Sequence, residues 1–308
     1  MVKSITKKIL LAVASCLILA SMFGGMAVAS AGNSICIEEM SAKGPNALDI
    51  FGNTERANSF RAIEEDNSIL IGATYQSVYV KETLDNNGNV TDSRLMTVSE
   101  VAKAKKEANR GLVLFDSIHQ GITPNHPKQY KTTLSIVVYQ DTDTNNYIVY
   151  GTADWDPFLG PWVEGESSPA RGLDFMGLTW GGNGEFKCPS SNAWFSAKYL
   201  NGNNIPYTTP IANGYSGYCW GFEETTSGFL GVGASPMTSG TSRVILEKTY
   251  STYQNLETNV IFTYIHTWQA FSISPSIGVG LFGPSINLNL STVPKQWNQQ
   301  LNIIGLLY

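Results

Sequence analysis

Histidine is almost missing from this chain: His119, His126 and His266 are all that 308 residues hold. His119 and His126 flank Pro124 at a spacing that no familiar zinc motif uses. His266 falls in the alternating run Val260, Phe262, Tyr264, His266, Trp268, which marks it as a sheet residue rather than a catalytic base. Cysteine is just as sparse. Cys16, Cys36, Cys188 and Cys219 include no Cys-x-x-Cys spacing, which argues against a structural zinc or a dithiol redox centre. Charge is scarce too, at 15% of residues against roughly 25% in soluble domains. The net charge is −5 and no Lys/Arg cluster occurs. Nucleic acid is therefore a poor partner, and so is an anionic lipid surface bound by charge alone. A hydrolase elbow is missing as well, because Gly214-Tyr215-Ser216-Gly217 brings its second glycine one residue early for Gly-x-Ser-x-Gly. No repeat of fixed period and no catalytic signature stand out.

What is present begins at the N-terminus. Lys3, Lys7 and Lys8 precede an uncharged apolar run from Ile9 to Phe23, and small residues follow at Ala27, Ala29 and Ala31. A basic start, an apolar middle and a small-residue exit make a secretory signal peptide over residues 1–31, cut after Ala29 or Ala31. The expected location is secreted, extracellular. Two other readings share these residues. The uncharged stretch from Ile9 to Ala31 is long enough to span a bilayer, and Val13-Ala14-Ser15-Cys16 resembles a bacterial lipobox, although Leu17, Ile18 and Leu19 prolong the run. Cleavage removes three lysines and no acid, so the mature chain is the more acidic. It keeps Cys36, Cys188 and Cys219 in a compartment where disulfides persist. Cys188 and Cys219 share the aromatic-rich middle and are expected to pair, leaving Cys36 over.

Residues 32–67 read as an irregular N-terminal segment and residues 68–308 as one β-rich domain. Strand-like segments recur at Ser68–Val80, Leu112–Phe115, Thr132–Tyr139, Tyr147–Ala153, Leu173–Trp180, Ala193–Leu200, Tyr218–Phe222, Val244–Tyr253 and Asn259–Phe271. Asp141 to Asn146 joins two of them as a hairpin turn, and Asn201-Gly202 marks another turn. One short surface helix is expected at about 97–110. Thr97-Val98-Ser99-Glu100 opens it as a capping box, and Gly111 closes it. The fold class is mainly β, an antiparallel sandwich or barrel-like sheet.

From Thr258 to Tyr308 the one formally charged side chain is Lys295. Within this tail Phe271, Ile273, Ile277, Val279 and Leu281 alternate with serines and glycines. After Gly283-Pro284, Ile286, Leu288 and Leu290 alternate with serines and asparagines. Such a hairpin, 271–291, has one apolar and one small polar face. It looks similar to the membrane-inserting hairpins of β-pore-forming toxins and to strands of outer-membrane barrels, which implies a membrane as partner. An ordinary hairpin packed on the core fits the same pattern, and Pro275 suits an edge or bulge.

Two clusters could carry ligands. Asp141-x-Asp143-x-Asn145 has the first three ligand spacings of a calcium loop, but Asn146 and Thr152 stand where glycine and glutamate belong. Calcium is the one cofactor the spacing suggests. Asp154, Trp155, Asp156 and Trp162 lie close together, with Glu164 and Glu166 beyond. Paired carboxylates beside tryptophans suit a glycoside hydrolase. With Trp180, Trp194 and Trp220 the same rings suit a glycan-binding platform, and the hydrophobic core is their third home. The expected function is a non-catalytic extracellular or cell-surface binding protein for a glycan or envelope component. Membrane insertion through 271–291 and secreted glycoside hydrolysis are the alternatives.

Overall fold

Between residues 132 and 139 the chain reads Thr-Thr-Leu-Ser-Ile-Val-Val-Tyr. Side chains so rich in β-branching suit a pleated strand that buries both faces. The computed structural model bears this out throughout. It describes residues 35–43, 67–84, 90–109, 128–159, 174–181, 185–199, 202–207, 209–222, 237–249, 257–268, 273–280, 283–290 and 295–307. The signal segment, Leu112–Phe115, His119, His126, Trp162, Glu164 and Glu166 lie outside the described residues.

Sixteen strands and one α-helix make up the described structure: β1 (Ile37–Lys43), β2 (Ser68–Leu84), β3 (Val90–Leu95), α1 (Val98–Asn109), β4 (Lys128–Asp141), β5 (Tyr147–Leu159), β6 (Asp174–Trp180), β7 (Phe186–Lys187), β8 (Ala193–Tyr199), β9 (Asn204–Tyr207), β10 (Ala212–Gly214), β11 (Gly217–Phe222), β12 (Met237–Lys248), β13 (Glu257–Trp268), β14 (Ile273–Gly280), β15 (Gly283–Leu290) and β16 (Lys295–Leu307). A large sheet runs β1-β2-β4-β5-β12-β8-β9, with β3 also on β2 and β7 also on β12. A smaller sheet runs β10-β11-β6-β13-β16, and among the described strands β14 pairs only with β15. Every pairing is antiparallel. The two main sheets face one another as a sandwich, and neither closes into a barrel.

The core lies between them. Leu134, Ile136, Val138, Val149, Phe195, Val244 and Leu246 of the large sheet meet Met176, Leu178, Trp220, Val260, Phe262 and Tyr264 of the small one. The sheets approach closely at Gly151, where an added Cβ would lie 2.3 Å from a ring carbon of Phe262. The missing side chain is the socket for that ring.

Helix α1 starts as expected. Glu100 accepts the Thr97 backbone N–H at 3.0 Å, and the Glu100 N–H donates to Thr97 Oγ1 at 3.4 Å. Val101 and Ala104 turn inward against Tyr79 and Met96, while Ala102, Lys103, Lys105 and Lys106 stay exposed. The β4–β5 hairpin and the turn at Gly202 (φ +85°) also form where the sequence puts them.

Other stretches differ. Residues 37–43, expected irregular, form β1 along the open edge of β2. An edge strand is recruited by backbone hydrogen bonds, so it carries little side-chain signature. Strand β5 continues to Leu159, past its expected end at Ala153, because Lys131 and Tyr130 of β4 pair with Asp156 and Pro157. Strand β12 begins at Met237, seven residues before the expected start.

Candidate functional site

Alternation along β4, β5, β12 and β8 sends every second side chain away from the core, onto the outer face of the large sheet. Cross-strand register sorts these positions into rows. One row is Ser77, Thr133, Asp154, Ser239 and Lys198. The next is Tyr75, Ser135, Thr152, Thr241 and Ser196, and a third is Ala73, Val137, Tyr150, Arg243 and Trp194. The face grades from aromatic to hydroxyl to charged along the strands.

Burial divides it the other way. On β2 and β4, Ser77, Thr133, Ser135 and Val137 are buried. On β5, β12 and β8, Thr152, Asp154, Trp194, Ser196, Ser239, Thr241 and Arg243 are half-buried, and Lys198 is exposed. This strip is fixed in place. Thr152 Oγ1 and Thr241 Oγ1 are 3.4 Å apart. Arg243 Nε donates to Tyr150 Oη at 3.0 Å, and its guanidinium carbon lies 5.7 Å from the Tyr150 ring centre. Trp194 meets Tyr150 edge-on, with centroids 6.5 Å apart.

Inside the sandwich, one end holds a buried polar bridge between the sheets. His266 Nδ1 is 2.9 Å from Asp174 Oδ2, and His266 Nε2 is 3.2 Å from Glu82 Oε1. Tyr264 donates its hydroxyl to Asp174 Oδ2 at 2.6 Å, and the Thr267 N–H donates to Asp174 Oδ1 at 2.9 Å. Ser93 donates to Glu82 Oε1 at 3.3 Å. Glu82 and Ser93 belong to the large sheet, and Asp174, Tyr264 and His266 to the small one. Every one of these side chains is buried. The sequence placed His266 in a sheet correctly. It did not signal the two carboxylates, 92 residues upstream for Asp174 and further still for Glu82, that meet it there.

The expected ligand residues separate. Trp155 is 4% exposed and packs edge-on against Tyr264 and Phe222, with centroids 5.5 and 6.3 Å away. It is a core residue, as are Trp180 and Trp220. Asp154, one residue earlier, sits on the outer face, so period-2 alternation divides the pair expected to act together. Asp156 continues β5 opposite Lys131. Trp194 alone of the described platform tryptophans reaches the outer face, two rows from Asp154.

At Asp141, Asp143 and Asn145 the chain makes a tight turn. Asp141 Oδ1 accepts the N–H groups of Asp143 and Thr144 at 2.8 and 3.1 Å, which holds its carboxyl below the usual aspartate range. Asn145 takes a left-handed φ of 57°, and Asp143 accepts the Asn67 amide at 3.1 Å.

The disulfide expected between Cys188 and Cys219 does not form; Cys36, Cys188 and Cys219 are free thiols. Alternation again supplies the reason. Tyr218 and Trp220 face the central core, so Cys219 between them points to the opposite side of β11, against Phe175, Ile265 and Ile286. Cys188 packs on the central core. Burial pushes both thiols up to about 12.

Ile286 brings in the uncharged hairpin. β14 and β15 align Ile277 with Ile286, and Ile286 is buried against the outer face of the small sheet. A Cβ at Gly177 would lie 2.1 Å from Ile286 Cδ1, so the glycine is the socket. Between Pro210–Asn213 and Pro275–Ile277 a cleft of about 410 Å³ remains.

No protein-family model matches the chain. Nor does any curated protein. Among solved structures it is similar to the collagen adhesin (CNA) from S. aureus, at 6% identity and a TM-score of 0.25, over 75% of this chain and 90% of that one. A likeness of that size carries no argument about fold or ligand. Among the described residues no helix is long and apolar enough to cross a membrane, and no group of three or more His, Cys, Asp or Glu side chains is placed to hold a metal ion.

Proposed function

We propose that this is a secreted, non-catalytic binding protein that acts at or beyond the cell surface. The observation that carries the reading is the half-buried strip on β5, β12 and β8. There an aromatic ring, hydroxyls and both signs of charge are presented in register on a braced sheet. Sites built on strands hold their contacts more firmly than sites on loops. The N-terminal order of lysines, apolar run and small residues supports export. The ligand is a glycan or another envelope component.

Purified mature protein mixed with intact cells and with insoluble envelope polysaccharide is expected to sediment with them saturably, without releasing reducing sugar. Failure to sediment with either material overturns the proposal, and turnover of the polysaccharide replaces it with hydrolysis.

A second reading is favoured by one feature. Among the described strands the β14–β15 ribbon pairs only with itself, and it lies in a stretch, 258–294, without a formal charge. A charge-free ribbon with one apolar face is suited to a bilayer. Dye release from neutral and anionic vesicles is the test, and intact vesicles at pH 5 and pH 7 dispose of this reading.

A further inference from the structure

We propose that the cleft between β10 and β14 is a second binding site, and that its ligand is an uncharged oligosaccharide. The cleft lies on the small sheet, across the sandwich from the strip on β5, β12 and β8. It therefore goes beyond the reading above and rests on a separate observation.

A strand edge forms one wall. Among the described strands β10 borders the small sheet, and its Gly214 pairs with Gly217 to close a two-residue turn. In such a hairpin the next pair, Asn213 with Tyr218, is not hydrogen-bonded, so Asn213 turns its backbone N–H and C=O away from β11. Ile211 donates its N–H to the Cys219 carbonyl at 2.9 Å, although Ala212 is the residue opposite Cys219. Two residues against one make a bulge, which bends the edge. Pro275, Ser276 and Ile277 of β14 form the other wall, and a Cβ added at Gly214 would lie 3.5 Å from Ile277 Cβ. The enclosed volume of about 410 Å³ falls within the range of small-molecule sites, about 300–1,000 Å³.

The walls select the ligand by what they carry. Neither 199–222 nor 258–294 holds an Asp, Glu, Lys or Arg, so an ionised group entering the cleft leaves water without meeting a counter-charge on either wall. Pro210 and Pro275 have no N–H, and β10 is three residues long, so a peptide strand finds no ladder to extend. A pyranose suits the surface better, because it has an apolar C–H face and a rim of hydroxyls. Pro210, Pro275 and Ile277 offer apolar contact to the first. The exposed Asn213 offers the rim both an amide donor and an acceptor, beside its own outward backbone groups. Tyr215, 77% exposed at the turn that follows Gly214, adds a ring on which a further sugar unit can stack.

Titration calorimetry of the mature protein with cellotriose, maltotriose, chitotriose, trigalacturonic acid and an octapeptide of alternating serine and valine tests this. At least one neutral trisaccharide is expected to bind, about tenfold or more tighter than trigalacturonic acid and with an affinity that salt does not change. Asn213→Ala and Tyr215→Ala are each expected to weaken that binding about tenfold, and Asn213→Trp to block it, with unchanged thermal midpoints because both residues are exposed. Tighter binding of the acidic trisaccharide overturns the neutral assignment, and binding of the octapeptide alone replaces the sugar by a peptide. Absence of binding, or binding that ignores all three substitutions, overturns the site. In that last case, sedimentation with envelope polysaccharide that persists in the variants leaves the broader binding function standing, whereas its absence from the wild type removes that function as well.

Discussion

At the scale of single residues, Asp174 has the most to lose. It accepts from Tyr264, from the Thr267 backbone and faces the His266 ring, all away from water. Asp174→Ala leaves those donors buried without their acceptor, and breaking a buried pair in this way costs about 3–5 kcal/mol. Urea unfolding should show that loss as a lower midpoint with an unchanged slope. The thiols give a second residue-scale expectation. With no disulfide, reductant should leave the melting temperature unchanged. Cys219, fully buried and pushed up to about 12, should react with a thiol reagent only after unfolding. Trp194 and Trp155 show what was legible here and what was not. Composition made both candidates for a sugar platform. Which one reached the surface depended on strand phase, set by the pairing of β5 with β4 and β12, and no local pattern reports that pairing.

At the scale of elements, local chemistry was read best where it is self-contained. The α1 capping box involves residues three apart, and the structure forms it. Arg94 adds two contacts to Glu100, at 2.6 and 2.9 Å, and with the Thr97 N–H these hold the Glu100 carboxyl down to about 2. A carboxyl depressed in the folded state stabilises above its ordinary value, near 4.5, and that contribution fades as pH falls toward 2. Both partners are well exposed, so Glu100→Gln should cost only about 1 kcal/mol, with the difference between variant and wild type shrinking below pH 4.5. The uncharged hairpin was equally legible, because a period of two over eight residues and a Gly-Pro turn need no distant partner. Its docking was not legible, since the socket at Gly177 lies about a hundred residues away. Ile286→Asp places a charge in that socket and should destabilise the fold by several kcal/mol, seen in a thermal melt. An unchanged midpoint would mean that the ribbon contributes nothing to the sandwich. Edge strands β1 and β16 escaped prediction for a related reason: their partners, β2 and β13, supply much of the ordering.

At the scale of the whole molecule, an antiparallel sandwich or barrel-like sheet was foreseen from many short strands with Gly, Asn and Pro between them, and the sheets stay open as a sandwich. The division into two sheets and a separate ribbon was not, because it is fixed by pairings between distant segments. One whole-chain expectation concerns export. Material collected outside the cell should begin at Ser30 or Gly32; a retained Met1, or a start at Cys16, would indicate an anchor or a lipoprotein instead.

The order of strands also sets a clock. β12 fills the place between β5 and β8, and its Arg243 bonds Tyr150 across 93 residues; in the small sheet His266 meets Asp174 across 92. Neither sheet is complete until its late strand has been synthesised, and pairing over such separations is slow. A ribosome extending this polypeptide therefore releases β5 and β6 well before the strands that complete their sheets. On the proposed export route the closing of both sheets would then fall to the far side of the membrane, set by the topology itself.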